Sequence, residues 1–184
     1  MINMGTHGQQ ELKATKHTAD VVLFTKRTGV LSVLVVERAK DPYRGALALP
    51  GGFVETGERA IDAAVRELAE ETGIRLGADR LHRFGCYGRP GRDPRGPVVS
   101  VAYHGYLPGA PPVVGGDDAD RAAWIGLPEL FAIEVVAFDH RDIVRDAVFR
   151  RFGWRMPTEG GGKVASSGAS DTADGGSSGV AGLS

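Results

Sequence analysis

The sequence predicts an α/β fold in which a mixed β-sheet is covered by helices. Short runs rich in β-branched residues recur along the chain, and segments of helical periodicity lie between and after them. The chain has 184 residues, 42% hydrophobic and 24% charged, a balance typical of a globular domain. We expect that domain at 18–156, between a flexible N-terminal arm at 1–17 and a disordered tail at 157–184.

Six segments are predicted to be strands because β-branched or apolar residues dominate them: 20–25, 31–37, 47–49, 81–87, 98–103 and 122–125. The first two flank the turn Arg27-Thr28-Gly29, which predicts a β-hairpin. The third is short and ends at Pro50-Gly51-Gly52. The fourth strand is expected to pair with the fifth, and we expect the strands to form one sheet.

Two segments, 60–72 and 139–152, are predicted to be helices. In the first, apolar residues recur at i, i+3, i+4 and i+7, namely Ile61, Ala64, Val65 and Leu68. Gly73 follows where a helix often ends in a left-handed residue. In the second, Asp139 is expected to cap the first turn, with an exposed His140 beside it.

The two ends of the chain differ in composition from the part between them. Of the 28 residues at 157–184, 8 are Gly and 6 are Ser, and none is aromatic. Such a segment buries too little apolar area to offset its ordering entropy, so we expect it to be disordered. Residues 1–17 are polar and aperiodic, which predicts a loose arm.

Charge and cysteine content exclude several classes of protein. The net charge of −1 argues against a nucleic-acid-binding surface, which would be basic. No apolar run approaches the ~20 residues of a membrane span. Cys86 is the single cysteine, so an intrachain disulfide and a cysteine-ligated zinc fold are excluded, and we expect it to be a small buried apolar residue. Without a secretory signal at the start, the expected location is the cytoplasm.

Three carboxylates lie close together on the first predicted helix. On a helical wheel Glu67, Glu70 and Glu71 cover an arc of about 100°, away from the apolar stripe. Their mutual repulsion destabilises the helix unless a cation lies among them. Hard divalent cations such as Mg²⁺ prefer carboxylate oxygens, so this face of the helix predicts a metal site.

Neighbouring residues support that prediction. Arg66 can reach Glu70 at i+4 and hold it in place. The turn at Pro50-Gly51-Gly52 can bring backbone carbonyls near the same ions. Ions held on a rigid helix suit the attack of water on a phosphate, because they neutralise developing charge and lower the pKa of a bound water.

This part of the sequence resembles the Nudix hydrolases. The family's box is matched without departure by Gly52, Glu58, Arg66-Glu67-Leu68, Glu70-Glu71 and Gly73-Ile74. The preceding 49–55 looks like the family's approach to the box. Later segments are similar to a bacterial ADP-ribose pyrophosphatase-like branch: 91–96, 117–124 and 137–140. The resemblance covers most of 20–152.

The resemblance implies an α/β/α sandwich that hydrolyses a nucleoside diphosphate linked to another group. It implies that Glu67, Glu70 and Glu71 hold Mg²⁺ or Mn²⁺, joined by the Gly51 carbonyl. Glu58 and Arg66 would be supporting residues of the catalytic set. The general base is either a glutamate of the box or a carboxylate on a later loop, the candidates being Asp117, Asp118, Asp120, Glu129 and Glu134.

Three arginines are candidate substrate contacts. Arg92 and Arg95 lie in a Gly/Pro loop and suit phosphate or ribose, although a solvated turn beside a hairpin explains them equally well. Arg38 follows a strand that leads toward the site, and a surface ion pair is its alternative. Trp124 and Phe138 are expected to be core residues rather than base-stacking ones.

The expected activity is Mg²⁺-dependent cleavage of ADP-ribose or a related nucleotide sugar to AMP and a sugar phosphate. One alternative is a nucleoside triphosphate pyrophosphatase that clears oxidised nucleotides. Another is a non-catalytic regulator that senses ADP-ribose, which the Gly/Ser-rich segment after Phe152 disfavours, because a DNA-binding module needs about 70 further folded residues. The expected partner is a small nucleotide, with no nucleic acid and no membrane. The family resemblance also allows a homodimer.

Overall fold

Seven strands form one mixed sheet in the computed structural model, which describes residues 15–115 and 119–155. The strands are β1 (Lys16–Arg27), β2 (Val30–Arg38), β3 (Leu47–Ala48), β4 (Gly51–Phe53), β5 (His82–Tyr87), β6 (Val98–Tyr106) and β7 (Ala119–Gly126). The helices are α1 (Ala60–Thr72), α2 (Leu127–Ala132) and α3 (His140–Phe152), with a short 3-10 helix at Ala78–Arg80. None of the helices in the described ranges has the length and apolar character needed to cross a membrane.

The main path of the sheet runs β3-β2-β1-β6-β5, with β7 paired to β2 and β4 paired to β1. Strands β1 and β6 are parallel, whereas the other pairings between these strands are antiparallel. The predicted hairpin of β1 and β2 and the predicted pairing of β5 with β6 are both present. The sheet is therefore mixed, as expected.

Strand β1 is buried on both faces because helices cover both sides of the sheet. Val22 and Phe24 pack in a core cluster with apolar residues of α2 and α3. Val21 and Leu23, whose side chains point to the opposite face, pack against α1. The result is the α/β/α sandwich that the family resemblance implied.

Helix α1 has the predicted bounds and ends at Gly73, whose φ of 73° is left-handed. Its buried residues include Ala64 and Leu68 of the predicted apolar stripe. Helix α3 begins one residue after the predicted start, at His140. Sequence reasoning missed β4 and α2, because β4 is three residues of a Gly-rich turn and α2 is a six-residue helix with Pro128 in its first turn.

The structure contradicts part of the predicted N-terminal arm and does not describe the predicted C-terminal tail. Lys16 and His17 were expected in a flexible arm, and they form the start of β1, where Lys16 pairs with Val98. Polar, exposed strand ends lack the apolar signal by which a strand is predicted. The rest of the predicted arm at 1–14 and the predicted tail at 157–184 lie outside the described residues.

Strand β1 changes partner along one of its edges. It pairs with β4 from Thr18 to Asp20 and with β2 from Phe24 to Arg27. Between these stretches the N–H of Val21 donates a 2.9 Å hydrogen bond to the Pro50 carbonyl. Strands β2 and β4 diverge here, which opens the sheet next to the C-terminal part of α1.

Candidate active site

A pocket of about 250 Å³ lies where β2 and β4 diverge. Six of the predicted site residues line it: Arg38, Gly51, Glu67, Glu71, Arg92 and Arg95. Three others, Glu58, Arg66 and Glu70, lie beside the lining and connect to it through Arg66. The fold thus brings the residues predicted from the sequence motif to one concave site.

The side chain of Glu71 extends from α1 to the floor of the pocket. Its Oε2 accepts a 2.9 Å hydrogen bond from the Gly51 N–H. Burial raises the pKa of Glu71 to about 8, and the nearby negative charges of Glu67 and Asp20 add to the increase. Burial also raises the pKa of Glu67, against the opposing effect of its ion pair with Arg66. Two carboxylates that resist ionisation therefore share the pocket.

Gly52 is required by its close approach to the helix. A Cβ atom on Gly52 would lie 2.2 Å from Oε1 of Glu67, well inside van der Waals contact. Only a residue without a side chain lets β4 pass this close to the carboxylate. The glycine of the motif thus sets the distance between β4 and α1.

Arg66 organises the carboxylates of the motif. Its Nε and Nη2 each donate a 3.0 Å hydrogen bond to Glu58, and its Nη1 donates to Glu67 at 2.7 Å. The predicted contact with Glu70 is present but longer, at 3.3 Å. A further bond from Nη2 to the Phe53 carbonyl ties β4 to the same guanidinium. The bonds with Glu58 raise the pKa of Arg66 and lower that of Glu58.

The donor set suits a hard divalent cation. Within 15–115 and 119–155 no three acidic, histidine or cysteine side chains already surround one point as a metal cage. The chemistry nevertheless fits, because Glu67 and Glu71 are partly buried oxygen donors, and burial and neighbouring carboxylates raise the pKa of both. The side chain of Glu70, one residue before Glu71, is 60% exposed and adds a freely accessible carboxylate.

A buried polar network lies beneath the pocket. Asp20 accepts a hydrogen bond from the Ser100 hydroxyl, and its carboxylate lies 4.0 Å from Nη2 of Arg92. Arg92 also donates to Asp139 through Nε at 2.9 Å and Nη2 at 2.5 Å. Burial lowers the pKa of Arg92, but these carboxylates outweigh it and raise the pKa. Arg92, predicted as a substrate contact, has a side chain only 3% exposed.

Asp139 is the N-cap residue of α3, as predicted, but the expected capping bond of its side chain and the expected exposure of His140 are both wrong. The Asp139 carboxylate makes no capping bond and pairs with Arg92 instead. His140 is 5% exposed, because its Nδ1 accepts a 2.9 Å hydrogen bond from the Leu49 N–H. Burial lowers the pKa of His140. His140 therefore braces the loop that carries Gly51, and Asp139 belongs to the buried network with Arg92.

Two arginines and two aromatic rings surround the mouth of the pocket. Arg38 donates a 2.8 Å hydrogen bond from Nε to the Pro42 carbonyl, and burial lowers its pKa. Arg95 forms an ion pair with Asp93 at 2.6 Å. The Phe53 and Phe138 rings line the same pocket. The mouth is therefore cationic and aromatic.

Several lining residues were missed or interpreted differently from the sequence. Asp20 had a signal, a carboxylate within an otherwise apolar strand. Phe138 was expected in the core, and it packs at the edge of a small buried cluster while also lining the pocket.

Trp124 is half-buried against the cluster under α1, as expected of a core residue. Cys86 was expected to be buried and is exposed on β5, which has no partner strand on its outer edge among the described residues.

Within the described residues, no carboxylate from the later part of the chain that was a candidate general base lines the pocket. Glu129, in α2, and Glu134, after it, do not line the pocket. Asp117 and Asp118 lie outside the described residues, and for Asp120 only its place in β7 is described.

The family model described as the NUDIX domain matches residues 15–147. The chain belongs to the Nudix family. This confirms the resemblance carried by the box around Glu67 and Glu71. The match begins one residue before β1 and ends within α3, so it covers the whole sheet.

Two curated relatives are informative. An ADP-ribose pyrophosphatase of Methanocaldococcus jannaschii is 41% identical over 114 residues, which cover 62% of this chain and 64% of that protein. The ADPR responsive transcriptional repressor NtrR of Acinetobacter baylyi is 31% identical over 135 residues, 72% of this chain and 53% of that protein. The chain thus spans between half and two thirds of the length of these Nudix relatives.

Two solved structures share the fold. The NUDIX domain of Shewanella oneidensis NrtR, complexed with ADP ribose, has a TM-score of 0.70 and 28% identity and covers 79% of this chain and 94% of that one. A bifunctional NMN adenylyltransferase/ADP ribose pyrophosphatase of Francisella tularensis, complexed with AMP and a Mn ion, has a TM-score of 0.66 and 28% identity. It covers 76% of this chain and 42% of that one.

Proposed function

We propose that this Nudix protein hydrolyses ADP-ribose or a related nucleotide sugar to AMP and a sugar phosphate. The observation that carries the proposal is that Glu67, Glu71 and Gly51 share one pocket with Arg38 and Arg95. Carboxylates can hold a cation that activates water, and guanidinium groups bind phosphate, so the pocket combines two kinds of group that suit pyrophosphate hydrolysis. The name of the 41% identical relative supports ADP-ribose as substrate, and so does the ligand of the NrtR domain.

The cation of the proposed reaction is Mg²⁺, with Mn²⁺ as the alternative seen in the Francisella neighbour. Glu67, Glu71 and the Gly51 carbonyl would hold it, with Glu70 adding a further carboxylate from the exposed side. When bound, the cation neutralises charge on the diphosphate and lowers the pKa of a water molecule.

The other residues of the motif act on the carboxylates and on the substrate. Arg66 holds Glu67 by a 2.7 Å bond and Glu58 by two bonds, which limits the orientations of both carboxylates. Arg38 and Arg95 supply positive charge at the mouth, where a diphosphate enters. The loop at Leu49 and Gly51 is fixed from below by His140 and from the side by Glu71.

A product assay tests the proposal. The protein is incubated with Mg²⁺ and, separately, with ADP-ribose, NADH, diadenosine polyphosphates and deoxynucleoside triphosphates. The expected products are AMP and ribose 5-phosphate from ADP-ribose. Glu67→Gln should abolish the reaction, whereas Asp79→Asn, which changes an exposed carboxylate in the short 3-10 helix, should retain it. Cleavage of triphosphates alone would replace the proposal with a nucleotide-clearing pyrophosphatase.

A sensor is the second candidate function, because one relative is an ADPR responsive transcriptional repressor. A sensor of this kind binds ADP-ribose without turning it over and binds DNA. Calorimetry with ADP-ribose and a gel-shift assay with genomic DNA fragments separate the two functions. For the enzyme we expect turnover and no sequence-specific DNA complex, and size-exclusion chromatography with light scattering checks whether the active form is a homodimer.

A further inference from the structure

Phe138, which lines the pocket, and Tyr43, which packs against its ring, adopt left-handed backbone conformations. Tyr43 has a φ of 65° and Phe138 a φ of 55°, a region that residues with large side chains rarely occupy. Their rings meet edge to face, with centroids 5.0 Å apart. Strained conformations persist where the surroundings enforce them, and they cluster at ligand-binding sites. The strain here places an aromatic ring over the pocket.

The Phe138 ring and the Phe53 ring enclose the guanidinium of Arg95. The Arg95 Cζ atom lies 4.8 Å from the centroid of Phe53 and 5.2 Å from that of Phe138. The space between the two rings, which we call the aromatic slot, thus holds one planar, delocalised group. A nucleobase is also planar and stacks on aromatic rings in the same manner.

We propose that the aromatic slot binds the nucleobase of the substrate and that Arg95 occupies it until the base takes its place. The inference rests on the proposed function, since it assigns a position to the base of the nucleoside diphosphate. It also changes the role predicted for Arg95, from a phosphate or ribose contact to a group that closes the slot and then moves.

Arg95 contacts Asp93 through Nε at 2.9 Å and Nη2 at 2.6 Å, and it is able to leave the slot because Asp93 keeps other partners. Its side chain is 36% exposed, whereas that of its partner Asp93 is 1% exposed. Asp93 also accepts a 2.8 Å hydrogen bond from the Arg95 backbone N–H, which remains when the side chain moves. The charge of Arg92 stays near Asp93 as well.

The test separates binding of the base from binding of the diphosphate. Calorimetry in excess Mg²⁺ gives the Kd of ADP and the Kd of inorganic pyrophosphate, and their ratio measures the contribution of the nucleoside. Phe138→Leu and Phe53→Leu should each lower this preference for ADP by about fivefold or more, because stacking on the ring is lost. Arg95→Ala should raise the preference by about two- to fivefold, because the competitor for the slot is gone.

Controls distinguish loss of the slot from loss of the fold. Phe131→Leu alters another ring with an arginine over it, Arg145 at 5.5 Å, outside the pocket, and should leave the preference for ADP unchanged. A thermal melt of each variant identifies those that fail to fold. In NMR spectra of the wild-type complex, the adenine H2 and H8 signals should shift upfield, and Phe138→Leu should reduce the shift.

Each outcome decides the proposal. An unchanged ratio in Phe138→Leu and Phe53→Leu places the base elsewhere and overturns it. A lower ratio in Arg95→Ala also overturns it, because the guanidinium would then contact the base directly. Both readouts measure binding, so an absence of ADP-ribose turnover would refute the proposed function without affecting the slot.

Discussion

The backbone N–H of Gly51 donates a 2.9 Å hydrogen bond to Oε2 of Glu71, 20 residues further along the chain. The bond joins the floor loop of the pocket to α1, the helix that carries the carboxylates of the Nudix motif. Both partners are candidate ligands of the same cation, one through its carbonyl and one through its carboxylate. Their relative position is therefore fixed before any ligand binds, which is the preorganisation that a catalytic metal site needs.

Glu71→Gln should abolish activity while leaving the fold intact. The amide keeps an oxygen to accept the Gly51 N–H but loses the negative charge that attracts the cation. Loss of several kcal/mol of transition-state stabilisation corresponds to a fall in kcat/KM of at least about hundredfold. The measurement is initial rate at varied ADP-ribose concentration.

Thermal melts with and without Mg²⁺ provide the independent readout for Glu71→Gln. Mg²⁺ should raise the Tm of the wild type, since a ligand that binds the folded state stabilises it. The same addition should leave the Tm of Glu71→Gln almost unchanged. A variant that responds to Mg²⁺ like the wild type would show that Glu71 is not a ligand.

Gly52→Ala should lower activity by displacing Glu67. The added methyl would lie 2.2 Å from Oε1 of Glu67, so the carboxylate or β4 must shift. A displacement of about 1 Å in a catalytic group costs on the order of hundredfold in rate. Gly126→Ala is the matched control, because its Cβ would come no closer than 3.3 Å to a neighbour, Cγ1 of Val30, and 3.8 Å to Cδ of Pro128. Equal rates for the two variants would contradict the steric role of Gly52.

Local patterns made much of the molecule predictable from the sequence. The stripe that includes Ala64 and Leu68 and the terminal Gly73 gave the correct bounds of α1. The spacing of Glu67 and Glu71 on that helix placed both on one face, and the pocket lies on that face. Helical periodicity and spacing within one element are encoded over a few residues, so they need no knowledge of the rest of the chain.

Contacts between distant segments were not predictable. Arg92 and Asp139 are 47 residues apart, and nothing local to either residue indicates the pair. The same is true of the bond between Leu49 and His140, which are 91 residues apart. A loop arginine and a helix-capping aspartate each have a plausible local role. Only the folded chain shows that the two residues form a buried network instead.

Arg92→Ala should destabilise the fold rather than act only on substrate binding. The change leaves the carboxylates of Asp139 and Asp20 buried without the positive charge of Arg92. Breaking a buried pair on one side costs about 3 kcal/mol or more. Arg59→Ala removes one side of an exposed pair, with side chains 75% and 42% exposed, and should cost much less than Arg92→Ala. Urea unfolding measures both, and similar losses would show that Arg92 has no special structural role.

The stability of the protein should fall when the pH drops below the ordinary histidine pKa of about 6.5. Burial lowers the pKa of His140 in the folded state. Below about 6.5 the unfolded chain therefore binds a proton that folded His140 does not, which favours unfolding by up to about 1.4 kcal/mol per pH unit. Asp20 and Asp139 face the ring and oppose this effect, whereas Arg92 and Arg38 add to it.

His140→Asn isolates this contribution from other groups that titrate in the same range. The Asn amide oxygen takes the place of Nδ1 as acceptor for the Leu49 N–H, so the brace beneath Gly51 is kept without a titratable ring. Unfolding free energies measured between about pH 5 and pH 8 should show a flatter profile for the variant than for the wild type. Parallel profiles would mean that folded His140 takes up its proton as readily as the unfolded chain does. Burial would then not be what sets its charge, and the Asp20 and Asp139 carboxylates would be the dominant influence on the ring.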